Sequence, residues 1–230
     1  MKDSEKISSN TKSPIGGFRG LKLFVLLKTL SAWEIKSFEK FVASPFFNPN
    51  EKVSRLLSVV LKEYPAYDEK NLSFEKLFAQ LFKKEKYNHQ KVRYVLTDLT
   101  LLMEKFLAYK TLEEKTFYQK KFLLHQLKEK NLDKYFQQHL TLGYDAQKNT
   151  EHHDLKFYKR QLGYDELSYE FTTSKSNRAI DTSLQSLSDN LDVYFLSTKL
   201  KYCCEILNRQ NIVQVEYKIP FLEYVVSYLT

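Results

Sequence analysis

Apolar residues recur at the three- and four-residue spacing of amphipathic helices along most of this 230-residue chain. The clearest stripe runs from Val92 to Leu107, where eight apolar positions follow one another over four helical turns. Shorter stripes occupy residues 53–64 and 74–82. The pattern therefore predicts a succession of amphipathic helices, each with one face turned toward a core.

Capping residues and prolines predict where several of these helices begin and end. Ser31 and Glu34 have the spacing of a capping box, and Asn88 stands where the N-cap of the longest stripe is expected. The Ser44–Pro45 pair should end the first of these helices, because a residue before proline avoids the α region. We expect the Phe46–Phe47 pair to fill the core at the loop that follows.

Glycine and proline are too scarce for a fold that depends on tight turns. The chain has 5 Gly and 5 Pro, and residues 66–219 contain no proline and only Gly143 and Gly163. Both residue types are unfavourable inside helices, and turn-rich β folds need them. The sequence therefore predicts an all-α protein and argues against an all-β one.

The pattern of the second half of the chain predicts helices joined by short links. Stripes between residues 117 and 171 are followed by a helical pattern from Ala179 to Asn208, with a candidate break at Ser188–Asn190, and Pro220 suits the start of a last helix. The motif Leu-Gly-Tyr-Asp occurs twice, beginning at Leu142 and at Leu162. Its offset of 20 residues is too short for a helix-pair repeat.

These patterns predict three regions. Residues 1–20 are polar and aperiodic, as in a flexible tail, and residues 21–110 should form a compact N-terminal helical module. Residues 111–230 should form an array of antiparallel helical hairpins that resembles an α-solenoid. We expect that array to continue past Thr230, because the last apolar stripe stops there without a glycine cap or a polar tail.

The sequence contains no clear signal for membrane insertion or for export to an oxidising compartment. The apolar segment Leu21–Leu30 is interrupted by Lys22 and Lys28, so it is too short and too polar for a membrane span or a signal peptide. Two cysteines are too few for a disulfide scaffold. We therefore predict a soluble, cytoplasmic protein without a membrane partner.

A search for catalytic and metal-binding motifs finds none that is specific. There is no glycine-rich phosphate loop, no G-x-S-x-G turn and no H-E-x-x-H. Glu151–Asp154 is the one metal-like cluster, and helix capping explains its acidic residues better than a metal. The adjacent Cys203 and Cys204 suit buried free thiols. The sequence thus predicts no catalytic residue, no cofactor and no metal site, so we expect no enzyme.

The net charge of +8 raises nucleic-acid binding as an alternative function. Only six of the 36 basic residues are arginine, and an AT-rich genome would enrich lysine without any ligand. One segment nevertheless has suitable side chains at the start of the second helix of a helix-turn-helix-like element, residues 73–107. The candidate nucleic-acid-binding residues are Lys83, Lys84, Lys86, Asn88, His89, Gln90, Lys91 and Arg93. The alternative interpretation is a capping asparagine among solvated lysines.

Several short motifs together resemble one protein family. They are Leu30-Ser31-x-x-Glu34, Phe38-x-x-Phe41-Val42-x-Ser44-Pro45-Phe46-Phe47-Asn48, Leu77-Phe78, and Tyr87-Asn88-x-Gln90-Lys91-x-Arg93. This pattern resembles a family of uncharacterised, all-helical bacterial proteins over residues 21–110, and the later helices are similar to that family's C-terminal array. The resemblance implies a helical fold and longer full-length members, and it implies no catalytic residues.

The function that these observations favour is a non-catalytic helical scaffold that binds another protein. Stacked amphipathic helices and the lack of catalytic motifs support it, and tyrosine, of which there are 16, is enriched at interfaces. Tyr67, Tyr118 and Tyr144 lie outside the main stripes and are candidate contact residues. The sequence leaves the identity of the partner and the oligomeric state open.

Overall fold

A computed structural model describes residues 20–67, 72–83, 85–175, 183–213, 215–219 and 221–229. These residues form ten α-helices and no β-strand, which confirms the predicted all-α class. No helix among them combines the length and the apolar character needed to cross a bilayer. The helices are α1 (Lys22–Thr29), α2 (Ala32–Ala43), α3 (Glu51–Lys62), α4 (Phe74–Leu81), α5 (His89–Glu113), α6 (Thr116–Glu129), α7 (Asp133–Lys148), α8 (Leu155–Ser174), α9 (Ser183–Val213) and α10 (Leu222–Leu229).

The chain divides into two compact units, Met1–Thr111 and Leu112–Thr230. The first unit holds α1 to α4 and nearly all of α5, and the second holds α6 to α10. Residues 1–19 of the predicted tail lie outside the described residues.

The predicted capping box at the start of α2 is confirmed. The Ser31 hydroxyl accepts a hydrogen bond from the Glu34 backbone N–H at 3.3 Å, and the Glu34 carboxylate accepts one from the Ser31 N–H at 2.7 Å. The same carboxylate also pairs with Lys110 of α5. The hydrogen bond from Lys110 and those from Ser31 lower the pKa of Glu34 to about 2. Glu34 of the capping box thus also links α2 to α5.

The core of the Met1–Thr111 unit is a single apolar cluster to which every helix contributes. Twenty-five buried apolar side chains among the described residues belong to it. One fully buried residue from each helix illustrates the arrangement: Phe24, Phe38, Leu56, Leu77 and Leu99. The helices meet in this way because each has one apolar face, as the sequence pattern predicts.

The loop after α2 corrects the prediction for one of its two phenylalanines. Phe47 packs against the core and stacks on Phe41, with 4.0 Å between the ring centroids. Phe46 is 88% exposed, so the expectation that it fills the core is wrong. The buried polar residue Asn48 holds the loop instead, because its side-chain amide donates a hydrogen bond to the Val42 carbonyl at 2.9 Å.

In the Leu112–Thr230 unit, α6 and α8 run in the same direction. Lys121 of α6 pairs with Glu166 of α8, and Lys128, two turns later, pairs with Glu170. Because the partners advance together along both helices, the two helix axes point the same way. These ion pairs span the surface above a small cluster formed by Leu124, Phe136, Leu140, Tyr164, Leu167 and Phe171.

The contacts of α7 with α8 advance in opposite senses. Phe136, near the start of α7, stacks on Phe171 near the end of α8, with 4.2 Å between the ring centroids. Gln147, near the end of α7, donates a hydrogen bond to the carbonyl of Phe157 near the start of α8 at 3.0 Å. The two helices therefore run in opposite directions.

The two Leu-Gly-Tyr-Asp motifs pack against each other across α7 and α8. The ring of Tyr164 lies so close to Gly143 that a Cβ atom there would be 2.7 Å from it. The Tyr144 hydroxyl donates a hydrogen bond to Asp165 at 2.8 Å. The two copies of the motif therefore contact each other, the first through Gly143 and Tyr144 and the second through Tyr164 and Asp165.

Helix α9 is continuous, so the predicted break at Ser188–Asn190 is wrong. The side chain of Asn190 donates a hydrogen bond to Asp165 of α8 at 2.7 Å, and Asp189 accepts one from Gln185 at 2.7 Å. Short polar side chains disfavour helices when they bond to their own backbone, and here they bond elsewhere. The predicted limit at Asn208 is wrong as well, because α9 continues to Val213, and the predicted limits Ala179 and Pro220 lie outside the described residues.

Candidate functional site

The predicted nucleic-acid-binding segment lies between α4 and α5 and continues into the first turn of α5. Asn88 caps α5 as predicted, because its side-chain oxygen accepts hydrogen bonds from the backbone N–H of Gln90 at 2.9 Å and of Lys91 at 3.3 Å. That oxygen is therefore occupied by the helix. Lys84 lies outside the described residues.

Two more candidate residues of this segment contact neighbouring side chains. Lys91 forms an ion pair with Glu85, and its ammonium group lies 5.7 Å from the centroid of the Phe82 ring. The Lys91 ammonium group donates a hydrogen bond to the Glu85 carboxylate, and this bond lowers the pKa of Glu85. The His89 ring lies against Phe74, with 4.2 Å between the centroids. A carboxylate thus stands inside the basic segment and offsets part of its charge.

Two of the remaining candidates, Lys83 and Arg93, line different clefts. Lys83 lines a cleft of about 520 Å³ that Arg55 and Gln80 also line. Arg93 lines a different and smaller cleft of about 180 Å³, which it shares with Thr97 of its own helix and with residues of α1. Lys86 and Gln90 are exposed. The structure therefore keeps these side chains near one another along the chain without gathering them around one groove.

Helix α9 carries an exposed apolar stripe that the sequence analysis did not single out. Successive residues of a helix are about 100° apart, so positions separated by seven, four and seven residues stay within roughly 40° of one another. Only Cys203 of this 31-residue helix is a buried residue among those described. The residues of the α9 stripe are Leu184, Leu191, Phe195 and Tyr202, which are 50%, 50%, 49% and 53% exposed.

The spacing of the α9 stripe is that of a helix-pairing seam. Heptad spacing of apolar residues is typical of helices that pack lengthwise against another helix. Contiguous apolar surface rimmed by polar residues marks interaction sites in soluble proteins. The signal was present in the sequence, but only the structure shows that α8 packs on α9 and leaves this stripe exposed.

A buried carboxylate occupies the interface of α7, α8 and α9. Asp165 is 3% exposed and accepts hydrogen bonds from the hydroxyl of Tyr144 at 2.8 Å, from Gln161 at 3.3 Å and from Asn190 at 2.7 Å. Burial raises the pKa of Asp165, and burial together with the bond to Asp165 raises that of Tyr144. All three donors are neutral, and their hydrogen bonds to Asp165 connect α7, α8 and α9.

Two of the three tyrosines predicted as contact residues are not available for contact. Tyr67 is fully buried in the core of the first unit, where its ring meets Phe24 edge to face. Tyr144 is half-buried and bonded to Asp165. Tyr118 is 39% exposed. Residues outside a helical stripe can still be buried when a loop or a neighbouring helix covers them, and both corrections have this cause.

The candidate metal cluster at 151–154 has a structural explanation. The Asp154 side chain caps α8 by accepting a hydrogen bond from the Phe157 backbone N–H at 2.7 Å, and the His153 ring stacks on the Phe157 ring. The capping interpretation of Asp154 is confirmed. Across the part of the chain that the structure describes, no three His, Cys, Asp or Glu residues are grouped so that they could hold a metal ion.

Comparison with family models, with curated proteins and with solved structures finds no significant match to this chain. The resemblance of residues 21–110 to a bacterial family, like the cytoplasmic location, therefore stays a prediction.

Proposed function

We propose that this protein is a non-catalytic helical scaffold that binds an amphipathic helix of another protein along the α9 stripe. In this proposal the Leu112–Thr230 unit is an α-solenoid-like array of helical hairpins, and α9 presents its free face. The observation that carries the proposal is the alignment of Leu184, Leu191, Phe195 and Tyr202, each about half exposed, on one face of a long helix.

The physical argument concerns the cost of leaving this stripe in water. Burial of apolar surface contributes roughly 25 cal/mol per Å², so four large side chains at helical spacing supply a substantial driving force. A partner helix with apolar residues at i, i+3, i+4 and i+7 would fit them. The aromatic side chains Phe195 and Tyr202 suit such a contact, because aromatic residues dominate the energetics of interfaces.

Site-specific photocrosslinking tests this proposal. A benzophenone amino acid at position 195 of the full chain should form a defined adduct with one partner in an extract of the source cell. A control probe at Phe46, which is exposed and lies in a loop of the other unit, should not form that adduct. Substitution of Leu191→Lys should abolish the adduct at position 195, because it places a charge in the middle of the stripe. If the probes at 195 and at 46 give the same adducts, the proposal is wrong.

Nucleic-acid binding by residues 83–93 is the second candidate. Its support is that Lys83, Lys86 and Arg93 are exposed, with no carboxylate within 4.0 Å among the described residues. Binding through several phosphates weakens steeply with salt. Titration of the protein with duplex DNA at about 50 mM and at about 200 mM salt tests this second candidate. The absence of binding at the lower salt would end this candidate.

A further inference from the structure

A second cationic site lies in the Leu112–Thr230 unit, far along the chain from the segment that the sequence singled out. It is a cleft of about 480 Å³ between the start of α6 and the first turns of α8. We call it the basic cleft. Its lining residues are Glu114, Lys115, Thr116, Phe117, Tyr118, Lys156, Lys159 and Arg160. Four of these side chains are cations and one is a carboxylate.

The four cations of the basic cleft lack the ion pairs that neutralise other lysines of this unit. Elsewhere Lys121, Lys128 and Lys175 each meet a carboxylate of a neighbouring helix. Among the described residues, no carboxylate lies within 4.0 Å of a cationic nitrogen of the cleft. The nearest acidic neighbour along α8, Asp154, is used as the N-cap of that helix. The cleft therefore keeps a net positive charge.

The arrangement of the cations on α8 is unfavourable without a counter-ion. Lys156, Lys159 and Arg160 are spaced i, i+3 and i+4, which places them on one face of the helix. Like charges that are neighbours on a helix face repel each other and destabilise the helix. An anion bound between them would convert this repulsion into attraction.

A buried amide fixes the orientation of the arginine. The Nε of Arg160 donates a hydrogen bond to the side-chain oxygen of Gln147 at 3.0 Å, and the Gln147 amide nitrogen is itself bonded to the Phe157 carbonyl at 3.0 Å. Gln147 is 6% exposed, so it holds the guanidinium rigidly. Among the described residues no hydrogen bond uses the two terminal nitrogens of Arg160, which form a planar fork, the geometry that matches two oxygens of a phosphate group.

The other wall of the cleft is aromatic. The rings of Phe117 and Tyr118 meet edge to face, with 5.2 Å between their centroids. A volume of about 480 Å³ falls within the range of small-molecule sites, which is roughly 300–1,000 Å³. Three cations on the α8 wall, with Lys115 and the two rings on the α6 wall, suit a ligand with a phosphate group at one end and an organic group at the other.

We infer that the basic cleft binds a small phosphate-bearing ligand of nucleotide size, with Arg160 gripping the phosphate and Lys115, Lys156 and Lys159 neutralising its charge. This site is independent of the α9 stripe, so either proposal can fail without the other. Gln147 acts as a positioning residue for Arg160.

Calorimetric titration of the full chain with inorganic triphosphate and with ATP tests the inference. The double substitution Lys156→Gln and Lys159→Gln should weaken both ligands by at least about tenfold at low salt. The matched control is Lys36→Gln with Lys40→Gln, two exposed lysines of α2, and it removes the same charge from the other unit. It should leave both affinities unchanged. Circular dichroism establishes that each variant is folded.

Two further comparisons separate a fitted site from general charge. Arg160→Lys keeps the charge and removes the fork, so it should weaken triphosphate by about threefold or more. ATP should bind more tightly than triphosphate because the aromatic wall contacts the organic group, and equal affinities would overturn the assignment of a ligand of nucleotide size. The inference is overturned if triphosphate does not bind at low salt, if both double variants weaken it equally, or if only an oligonucleotide binds.

Discussion

The two units of this protein bury side chains in different ways. The Met1–Thr111 unit gathers 25 buried apolar side chains of its described residues in one cluster, whereas the corresponding cluster of the Leu112–Thr230 unit has six. The second unit instead buries a carboxylate, Asp165, among neutral hydrogen-bond donors, and it leaves the stripe of α9 half exposed. The first unit uses its apolar faces for its own core, and the second leaves the apolar stripe of α9 and the cations of the basic cleft at its surface.

This contrast matters because a packed core and a recognition surface compete for the same apolar residues. A side chain that is fully buried within its unit contributes to folding, and the same side chain left half exposed contributes when a partner covers it. Substitutions of buried residues in the first unit should therefore mainly change stability, and substitutions of half-exposed residues in the second should mainly change binding.

The largest effect is expected for a core residue of the first unit. Phe38→Ala should lower the free energy of unfolding by about 3–5 kcal/mol, because the ring is fully buried and lies 5.3 Å from Phe106 between centroids. Urea unfolding followed by circular dichroism measures this loss. Phe195→Ala on the α9 stripe is the control and should cost about 1 kcal/mol or less. Equal losses of stability in the two variants would contradict the proposed difference between the two units.

The next largest effect is expected at the buried carboxylate of the second unit. Asp165→Ala should cost about 1–3 kcal/mol, because it leaves the hydroxyl of Tyr144 and the amide of Asn190 without their acceptor. The matched control is Asp145→Ala, at the same position of the other Leu-Gly-Tyr-Asp motif, where the side chain is 55% exposed. That control should cost about 0.5 kcal/mol or less in the same urea experiment.

The same carboxylate should give the second unit a distinctive pH dependence. Burial raises the pKa of Asp165 above its ordinary value of 3.8, so the folded protein holds this proton more tightly than the unfolded chain. Stability should therefore decrease as the pH rises from about 3.8 through the folded pKa. Asp165→Asn, which keeps an acceptor for Tyr144, should remove this decrease. A variant that keeps the wild-type slope would show that another group causes it.

A smaller effect is expected where the two motifs touch. Gly143→Ala should cost about 1–2 kcal/mol, because the new Cβ would lie 2.7 Å from the buried ring of Tyr164, and the gain in helix propensity offsets only part of that strain. Gly163→Ala is the matched control, since its Cβ would lie 3.0 Å from the tip of the half-buried Phe117 ring, and a shift of a few tenths of an ångström would relieve that contact. Hydrogen exchange of α7 and α8 should distinguish the two variants.

The smallest effect is expected at the capping box of the first unit. Because its folded pKa is about 2 and its ordinary value is 4.5, Glu34 should stabilise the fold fully above pH 4.5, and this contribution should be lost as the pH falls toward 2. Glu34→Gln should reduce the loss of stability in that window. Glu39→Gln, at an exposed position of the same helix, is the control. Thermal melts between these pH values, compared for both variants, measure the difference.

The helices of the first unit were largely predictable, because local signals and tertiary packing agree there. Ser31, Glu34 and Asn88 cap helices as their sequence positions indicate, and the apolar stripes face one core. Phe46 could not be predicted, because two adjacent aromatic residues in a loop give no sign of which one turns inward.

The candidate sites were less predictable, because they depend on which helices become neighbours. The spacing of the four apolar residues of the α9 stripe is visible in the sequence, but their exposure depends on α8 covering a different face of α9. Likewise, Lys115 before α6 and Arg160 of α8 both line the basic cleft, although they are far apart along the chain and no local sequence pattern connects them.

The sequence by itself determined the helical class, most of the capping residues and the approximate limits of the helices, because these follow from spacing and local hydrogen bonding over a few residues. The tertiary structure alone decided that the two Leu-Gly-Tyr-Asp motifs face each other, that Asp165 is buried between three helices, and that four cations line one cleft. Those outcomes depend on contacts between residues that are distant along the chain, and hydrophobic periodicity does not specify which helix faces meet.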